Sequence, residues 1–275
     1  MTDLYAVIGH PIAHSKSPLI HKAFAEATGQ DLDYIAIEGP LGRFAETVAF
    51  WRARGLRGLN VTVPFKMDAF AYARRLDALA RQAGAVNCLT FEGATSEGAN
   101  YDGIGLARDI EVNLATPIDG KTILVLGTGG ATRGALGPLL QRDPARLTVA
   151  FRSPGKEADL RALFPFARNL DFLAYGDLAR DGDTYDVVLN ATSASLFGEA
   201  PAIPSAAFSP RGLAYDLSYG KGLTPFLRLA REAGVKHLAD GVGMLVEQAA
   251  EAFARWRGVR PETRQMIEKI TVPLV

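Results

Sequence analysis

Short apolar runs with strand character alternate with helical patterns along the whole chain. The first part predicts strands at Leu4–Ile8, Tyr34–Ile37, Leu59–Val63 and Val86–Phe91. Helical patterns lie between them, opening at Ser17-Pro18 and running over Phe44–Arg54 and Met67–Leu76. Leu19, Ile20, Ala23, Phe24 and Ala27 share one face of the first helix, the spacing of a helix packed on a core. Pro64 ends the third strand, because proline cannot donate to a ladder.

The pattern restarts at Asp102-Gly103-Ile104-Gly105, which opens a helix carrying Leu106, Ile110 and Leu114. Lys121–Leu126 is a continuous apolar strand of the fully buried type. Helix Ala131–Gln141 and strand Leu147–Phe151 follow, then strands at Asp186–Leu189 and Leu213–Leu217. Helix Pro225–Ala233 stops at Gly234, a suitable C-cap. The last helix, Met244–Trp256, carries Leu245, Ala249, Ala252, Phe253 and Trp256 as its stripe, with Gln248 as a polar intruder that needs a partner. This alternation predicts an α/β fold with a parallel sheet covered on both faces. With 275 residues, two domains are expected rather than one.

Charge narrows the function. Lys and Arg number 30, as do Asp and Glu, and no block of like charge stands out. Nucleic acid and membrane surfaces therefore have no electrostatic footprint here. The one cysteine, Cys88, follows Asn87 in an apolar stretch and reads as a packing residue of a reducing cytosol. The N-terminus lacks the pattern of a secretory signal, and no apolar run approaches the roughly 18 residues of a membrane span. A soluble cytoplasmic protein is expected. His10, His14, His21 and His237 form no ligand set of usual spacing with the cysteine, so no metal is expected.

Gly127-Thr128-Gly129-Gly130-Ala131 lies between the buried strand and a helix, the context of a dinucleotide fingerprint. Gly127 suits the tight turn and Gly129 a close approach of backbone to a pyrophosphate at the helix N-terminus. Thr132 stands at the third glycine position, leaving close packing to Gly130 and Ala131. At the end of the next strand no carboxylate awaits a ribose 2′-hydroxyl. Arg152, Ser153 and Lys156 stand there instead. They are either solvated surface groups or a site for a 2′-phosphate, and the missing carboxylate favours NADP.

Three segments before residue 103 carry polar groups that a core pattern does not want. Ser15 and Ser17 beside a helix N-terminus make a small anion site suited to a carboxylate, or Ser17 merely caps the helix. Asn60 and Thr62 point to one face of their strand, and Lys66 lies just past its C-terminal end, where open α/β sheets bind ligands. A lone lysine there is usually a surface residue. Asn87 reads equally as a turn or strand residue, and Asp102 before Gly103 as a helix cap.

The stretches GHPIAHSKSPLIH (9–21), GLNVTVPFK (58–66), AGAVN (83–87), YDGIG (101–105), GTGGA (127–131), NATS (190–193), YDLSYGKGLTPF (215–226) and DGVGMLVEQA (240–249) together resemble the shikimate dehydrogenase family. The resemblance implies a substrate-binding and catalytic domain at 1–102 plus 238–275 and a Rossmann-type NADP domain at 103–237. It implies NADP-dependent, reversible oxidation of shikimate to 3-dehydroshikimate, an oxidoreductase step of chorismate and aromatic amino-acid biosynthesis. By motif, Ser15 and Ser17 would hold the substrate carboxylate with Tyr219. Thr62, Asn87 and Gln248 would bind ring hydroxyls, and Lys66 and Asp102 would act at the reacting oxygen. Gly127, Thr128, Gly129, Gly130 and Ala131 would hold the pyrophosphate, and Arg152, Ser153 and Lys156 the 2′-phosphate. Leu217, Gly241 and Met244 would shape the nicotinamide pocket. The chain departs from the family at Phe151, at Cys88 and at Ala194-Ser195 after NATS. The resemblance leaves open a monomer or a homodimer, and a quinate/shikimate enzyme of broader range. A ligand sensor of this fold would not need Lys66 and Asp102, and a folate-linked dehydrogenase would not need SKSP.

Overall fold

In the computed structural model, which describes residues 2–192, 194, 198–220 and 222–275, the first apolar run forms β1 (Asp3–Gly9). It is followed by α1 (Ser17–Thr28), β2 (Leu32–Glu38), α2 (Phe44–Arg52), β3 (Leu56–Val61) and α3 (Lys66–Tyr72). Then come β4 (Arg75–Leu76), α4 (Ala78–Ala83), β5 (Cys88–Glu92) and β6 (Thr95–Ala99). These strands form a six-stranded sheet in the order β2-β1-β3-β5-β6-β4. β1 pairs parallel with β2 and β3, whereas β5 runs antiparallel to both β3 and β6. The wholly parallel sheet expected for this part of the chain is therefore corrected to a mixed one. A two-residue connection, Gly93-Ala94, returns the chain at once, and parallel pairing would need a crossover of a dozen residues or more.

Alternation along these strands splits their side chains between two cores. Ala6, Ile8, Leu59, Val61 and Leu89 pack with Phe44, Val48, Phe65 and Ala69. On the other side Tyr5 stacks on Trp256 with ring centroids 4.8 Å apart. His21 lies among Phe24, Tyr34, Phe253 and Trp256.

The chain continues with α5 (Asp102–Arg108), a π-helical turn over Asp109–Asn113, β7 (Thr122–Leu126), α6 (Gly130–Leu140), β8 (Arg146–Phe151), α7 (Lys156–Leu163), β9 (Leu170–Ala174) and α8 (Leu178–Asp181). β10 (Tyr185–Asn190), β11 (Phe208–Asp216), α9 (Pro225–Glu232), β12 (His237–Asp240), α10 (Val242–Arg257) and α11 (Arg264–Ile270) complete it. The second sheet, β12-β11-β10-β7-β8-β9, is parallel throughout. Ile123 and Val125 of β7 face one core and Leu124 and Leu126 the other, so this sheet is buried on both faces. Strand order reverses between β7 and β10, the switch point where such sheets take ligands.

By packing, the chain divides into Met1–Gly105 with Val246–Met266, and Leu106–Leu245 with Ile267–Val275. The boundaries expected at 102 and 237 lie three and eight residues before these. The last nine residues group with the parallel sheet, where Leu274 packs against the cluster of Leu124, Leu126 and Phe226. Among the described residues no helix is long and apolar enough to cross a membrane.

Candidate active site

The first unit gathers polar side chains at the C-terminal end of β3. Lys66 is the first residue of α3, and its Nζ donates to Asp102 Oδ2 at 2.5 Å. Asp102 is buried, and Asn87 Nδ2 donates to its other carboxylate oxygen at 2.8 Å. The same amide nitrogen lies 3.3 Å from Gln248 Oε1, and Asn87 Oδ1 accepts from the Tyr101 N–H at 2.9 Å. Four residues from distant parts of the sequence thus form one bonded set. The polar intruder on α10, Gln248, has a partner in Asn87. Asp102 is no helix cap, since both its oxygens accept from side chains. Lys66 is not an unengaged surface cation.

The segment before α1 differs from the capping reading. Lys16 occupies the N-cap position in helical conformation with no side-chain cap, and it is Ser15 Oγ that accepts the Ser17 N–H, at 3.3 Å. Ser17 is buried and its hydroxyl meets the Tyr34 phenol. Tyr34 in turn donates to Asn60 Oδ1 at 2.7 Å. Thr62 is half-buried one residue beyond β3, and its N–H donates to the Ile8 carbonyl. Tyr219 belongs to the other unit, half-exposed, with its phenol pushed up by partial burial.

Three further polar residues support this set. Asn100 Oδ1 accepts the Asp102 N–H at 3.1 Å, while its amide donates to the Ala85 carbonyl. Asn60 lies on the same strand face as Thr62 and is buried, which is a signal in itself, because a buried amide must find partners. Tyr34 carried no such signal.

The second unit holds the glycine-rich turn at the switch point. Gly127 has φ +100°, and a Cβ there would lie 3.0 Å from Thr192 Cγ2. Only glycine adopts that conformation freely. Gly129 is the N-cap of α6, with Gly130 its first residue and Ala131 its second. Space is open around both Gly129 and Gly130. Thr132, at the place of the third glycine, is fully buried and donates to the Gly127 carbonyl at 2.8 Å. It ties the turn to the helix, a role that spacing alone does not reveal.

A cavity of about 680 Å³ opens beside this turn, and Gly127, Thr128, Gly129, Arg152, Ser153 and Lys156 line it. The two sequence segments expected to meet one nucleotide do meet. Tyr175, Thr192, Ala194, Glu199 and Pro201 are also in the wall. Burial pushes the Tyr175 phenol up to about 12, against the opposing charge of Arg152. Ser193 of the NATS stretch and Ser195 lie outside the described residues. Leu217, Gly241 and Met244 do not line the cavity. Leu217 and Gly241 directly follow β11 and β12, where the Leu217 carbonyl leaves no room for a Cβ on Gly241, and Met244 lies in the first turn of α10. Turn, helix N-terminus and cationic wall fit a pyrophosphate joined to a phosphorylated ribose.

Residues 7–89 match the family described as the shikimate dehydrogenase substrate binding domain, and residues 241–271 the shikimate 5′-dehydrogenase C-terminal domain. Shikimate dehydrogenase (NADP(+)) of Nitrosospira multiformis is 53% identical over 267 residues, covering 97% of this chain and 96% of that one. An Ael1 enzyme from Pseudomonas putida has a similar structure, with 52% identity, a TM-score of 0.95 and 100% of both chains covered. Shikimate 5-dehydrogenase from Thermus thermophilus, solved in complex with NADP(H) and shikimate, shares 30% identity with a TM-score of 0.86, over 97% of this chain and 98% of that one.

Proposed function

The chain belongs to the shikimate dehydrogenase family, and we propose on that premise that it oxidises the C3 hydroxyl of shikimate reversibly to 3-dehydroshikimate with NADP. The observation that carries the reading is the bonded set of Lys66, Asp102, Asn87 and Gln248 in the unit that also carries Ser15, Ser17 and Thr62. The proton chemistry and all the substrate contacts but that of Tyr219 belong to this unit, and NADP to the unit with the parallel sheet.

When bound, NADP supplies the nicotinamide ring that takes up the hydride. The chain's own residues do the rest. Ser15 and Ser17, with Tyr219, bind the ring carboxylate. Thr62, Asn87 and Gln248 bind ring hydroxyls. Lys66 takes the proton of the reacting hydroxyl and returns it in the reverse direction. Asp102 orients Lys66, and Asn87 in turn fixes the carboxylate of Asp102. Gly127 to Ala131 hold the pyrophosphate, while Arg152, Ser153 and Lys156 meet the 2′-phosphate. Leu217, Gly241 and Met244 shape the nicotinamide pocket. The protein works in the cytoplasm on small molecules, as a monomer or homodimer, apart from nucleic acid and membranes.

The test is an absorbance assay of shikimate and quinate, each with NADP and with NAD. Reduction of NADP by shikimate well above the other three pairs is expected. A preference for NAD overturns the 2′-phosphate site, and a preference for quinate overturns the substrate.

A further inference from the structure

Side chains from outside α10 hold its first turn. The Val242 N–H donates to Asp240 Oδ1 at 3.1 Å, and the Met244 N–H donates to the Tyr215 hydroxyl at 3.2 Å. Tyr215 stands near the end of β11, fully buried, and its own proton goes to Asp109 Oδ2 at 2.8 Å. Asp109 is itself buried at the start of the π-helical turn, where Asn113 Nδ2 donates to its Oδ1 at 2.9 Å. That oxygen also presses on α10, since a Cβ on Gly243 would lie 1.9 Å from it. Burial and the adjacent carboxylate keep the Tyr215 phenol protonated. One hydroxyl thus donates to Asp109 while accepting from Met244.

Packing alone does not account for this arrangement. A phenylalanine would fill the ring volume of Tyr215, and a buried carboxylate is costly unless it is fully bonded. Asp109 instead places its charge against the amino end of a helix, where free N–H groups favour an anion. The contact also requires a glycine at 243, the second residue of α10. We propose that Asp109 and Tyr215 are positioning residues for the nicotinamide end of NADP. They fix the height and rotation of the first turn of α10, and through it the places of Gly241 and Met244. The inference rests on the reading of those two residues as walls of the nicotinamide pocket.

The variant Tyr215→Phe keeps the ring and removes both bonds. In the free protein, exchange of the Met244 amide should speed up by as much as about tenfold, the loss of one hydrogen bond. Turnover of shikimate with NADP should fall about ten- to a hundredfold, the cost of a displaced reacting group. The KM for shikimate should stay within about twofold. Affinity for 2′,5′-ADP, which carries the 2′-phosphate but no nicotinamide, should stay at the wild-type value. Asp109→Asn keeps an acceptor for Tyr215 and should lose less turnover than Asp109→Ala. Normal turnover in Tyr215→Phe, or equal weakening of 2′,5′-ADP, overturns the positioning role while wild-type activity leaves the family reading intact. A wild type that does not reduce NADP with shikimate removes both.

Discussion

The Asp102→Asn substitution asks whether Lys66 is oriented by a carboxylate or merely lies near one. Asp102 receives two donors, Lys66 Nζ at one oxygen and Asn87 Nδ2 at the other. An asparagine offers one acceptor and one NH2, so it can satisfy only one of them. The other faces a donor. The lost bond is charge-assisted, with a usual worth of about 1.5–3 kcal/mol. The Lys66 side chain is 31% exposed against 12% for Asp102, so its ammonium regains water and the stability loss falls to about 1–2 kcal/mol. The loss in rate should be larger. A positioned acid/base contributes about 10²–10⁴-fold, and a lysine without its anchor forfeits much of that. We expect kcat to fall about 10²–10³-fold in Asp102→Asn and about 10²–10⁴-fold in Lys66→Ala, with KM for shikimate changed only a few-fold. The assay is steady-state NADPH formation for both variants and for the double variant. Residues that act as one unit give strongly non-additive losses. If the double variant loses the product of the two single effects, or if Asp102→Asn turns over near normally, the orienting role is wrong.

Other expectations follow from single contacts. Arg152→Ala and Lys156→Ala should each lower kcat/KM for NADP roughly tenfold and leave that for NAD unchanged, because each removes one charged contact to the 2′-phosphate; an equal loss with both cofactors would show surface cations only. Thr132→Val leaves the Gly127 carbonyl without its 2.8 Å donor, and the dissociation constant for NADP should rise several-fold, read by equilibrium titration against an unchanged KM for shikimate. Burial lowers His21 from 6.5 to about 3, with Asn60 offsetting only part, and both ring nitrogens lack a partner of normal geometry. The unfolded chain therefore binds the proton that the folded one refuses, so stability is full above pH 6.5 and declines as pH falls from there toward 3. Urea midpoints for His21→Phe should lose less between neutral and acid pH than those of the wild type, and parallel curves would show that His21 is not the titrating group.

Much of the second unit was legible because its strands are buried on both faces. Continuous runs such as Lys121–Leu126, followed by glycine and a helical pattern, have few other readings. β9 and β12 leave no such mark in the sequence. β9 is an edge strand with Asp171 in it, and β12 has only four residues, too few to show a period. The mixed sheet of the first unit escaped for a different reason. Periodicity reports which face a side chain takes, but not the direction of the neighbouring strand. β6, with the sequence Thr-Ser-Glu-Gly-Ala, has almost no apolar residues, so nothing marked it as the return arm that makes β5 antiparallel.

The same strand directions explain why the site could be recognised yet not built from sequence. Lys66 and Asp102 are 36 residues apart, and each has an ordinary reading alone. Asn87 makes them a pair, and register places Asn87. Asn60 pairs with Cys88, and Cys88 with Ala99. The rungs just beyond run from the Val61 N–H to the Asn87 carbonyl and from the Asn87 N–H to the Ala99 carbonyl. Asn87 is thereby held between the end of β3, which leads to Lys66, and the end of β6, which leads to Asp102. A slip of one residue in β5 would turn its side chain to the opposite face, leaving Asp102 without one donor and breaking the contact between Asn87 and Gln248. The antiparallel hairpin that the hydrophobic pattern concealed is what brings Lys66 and Asp102 within bonding distance.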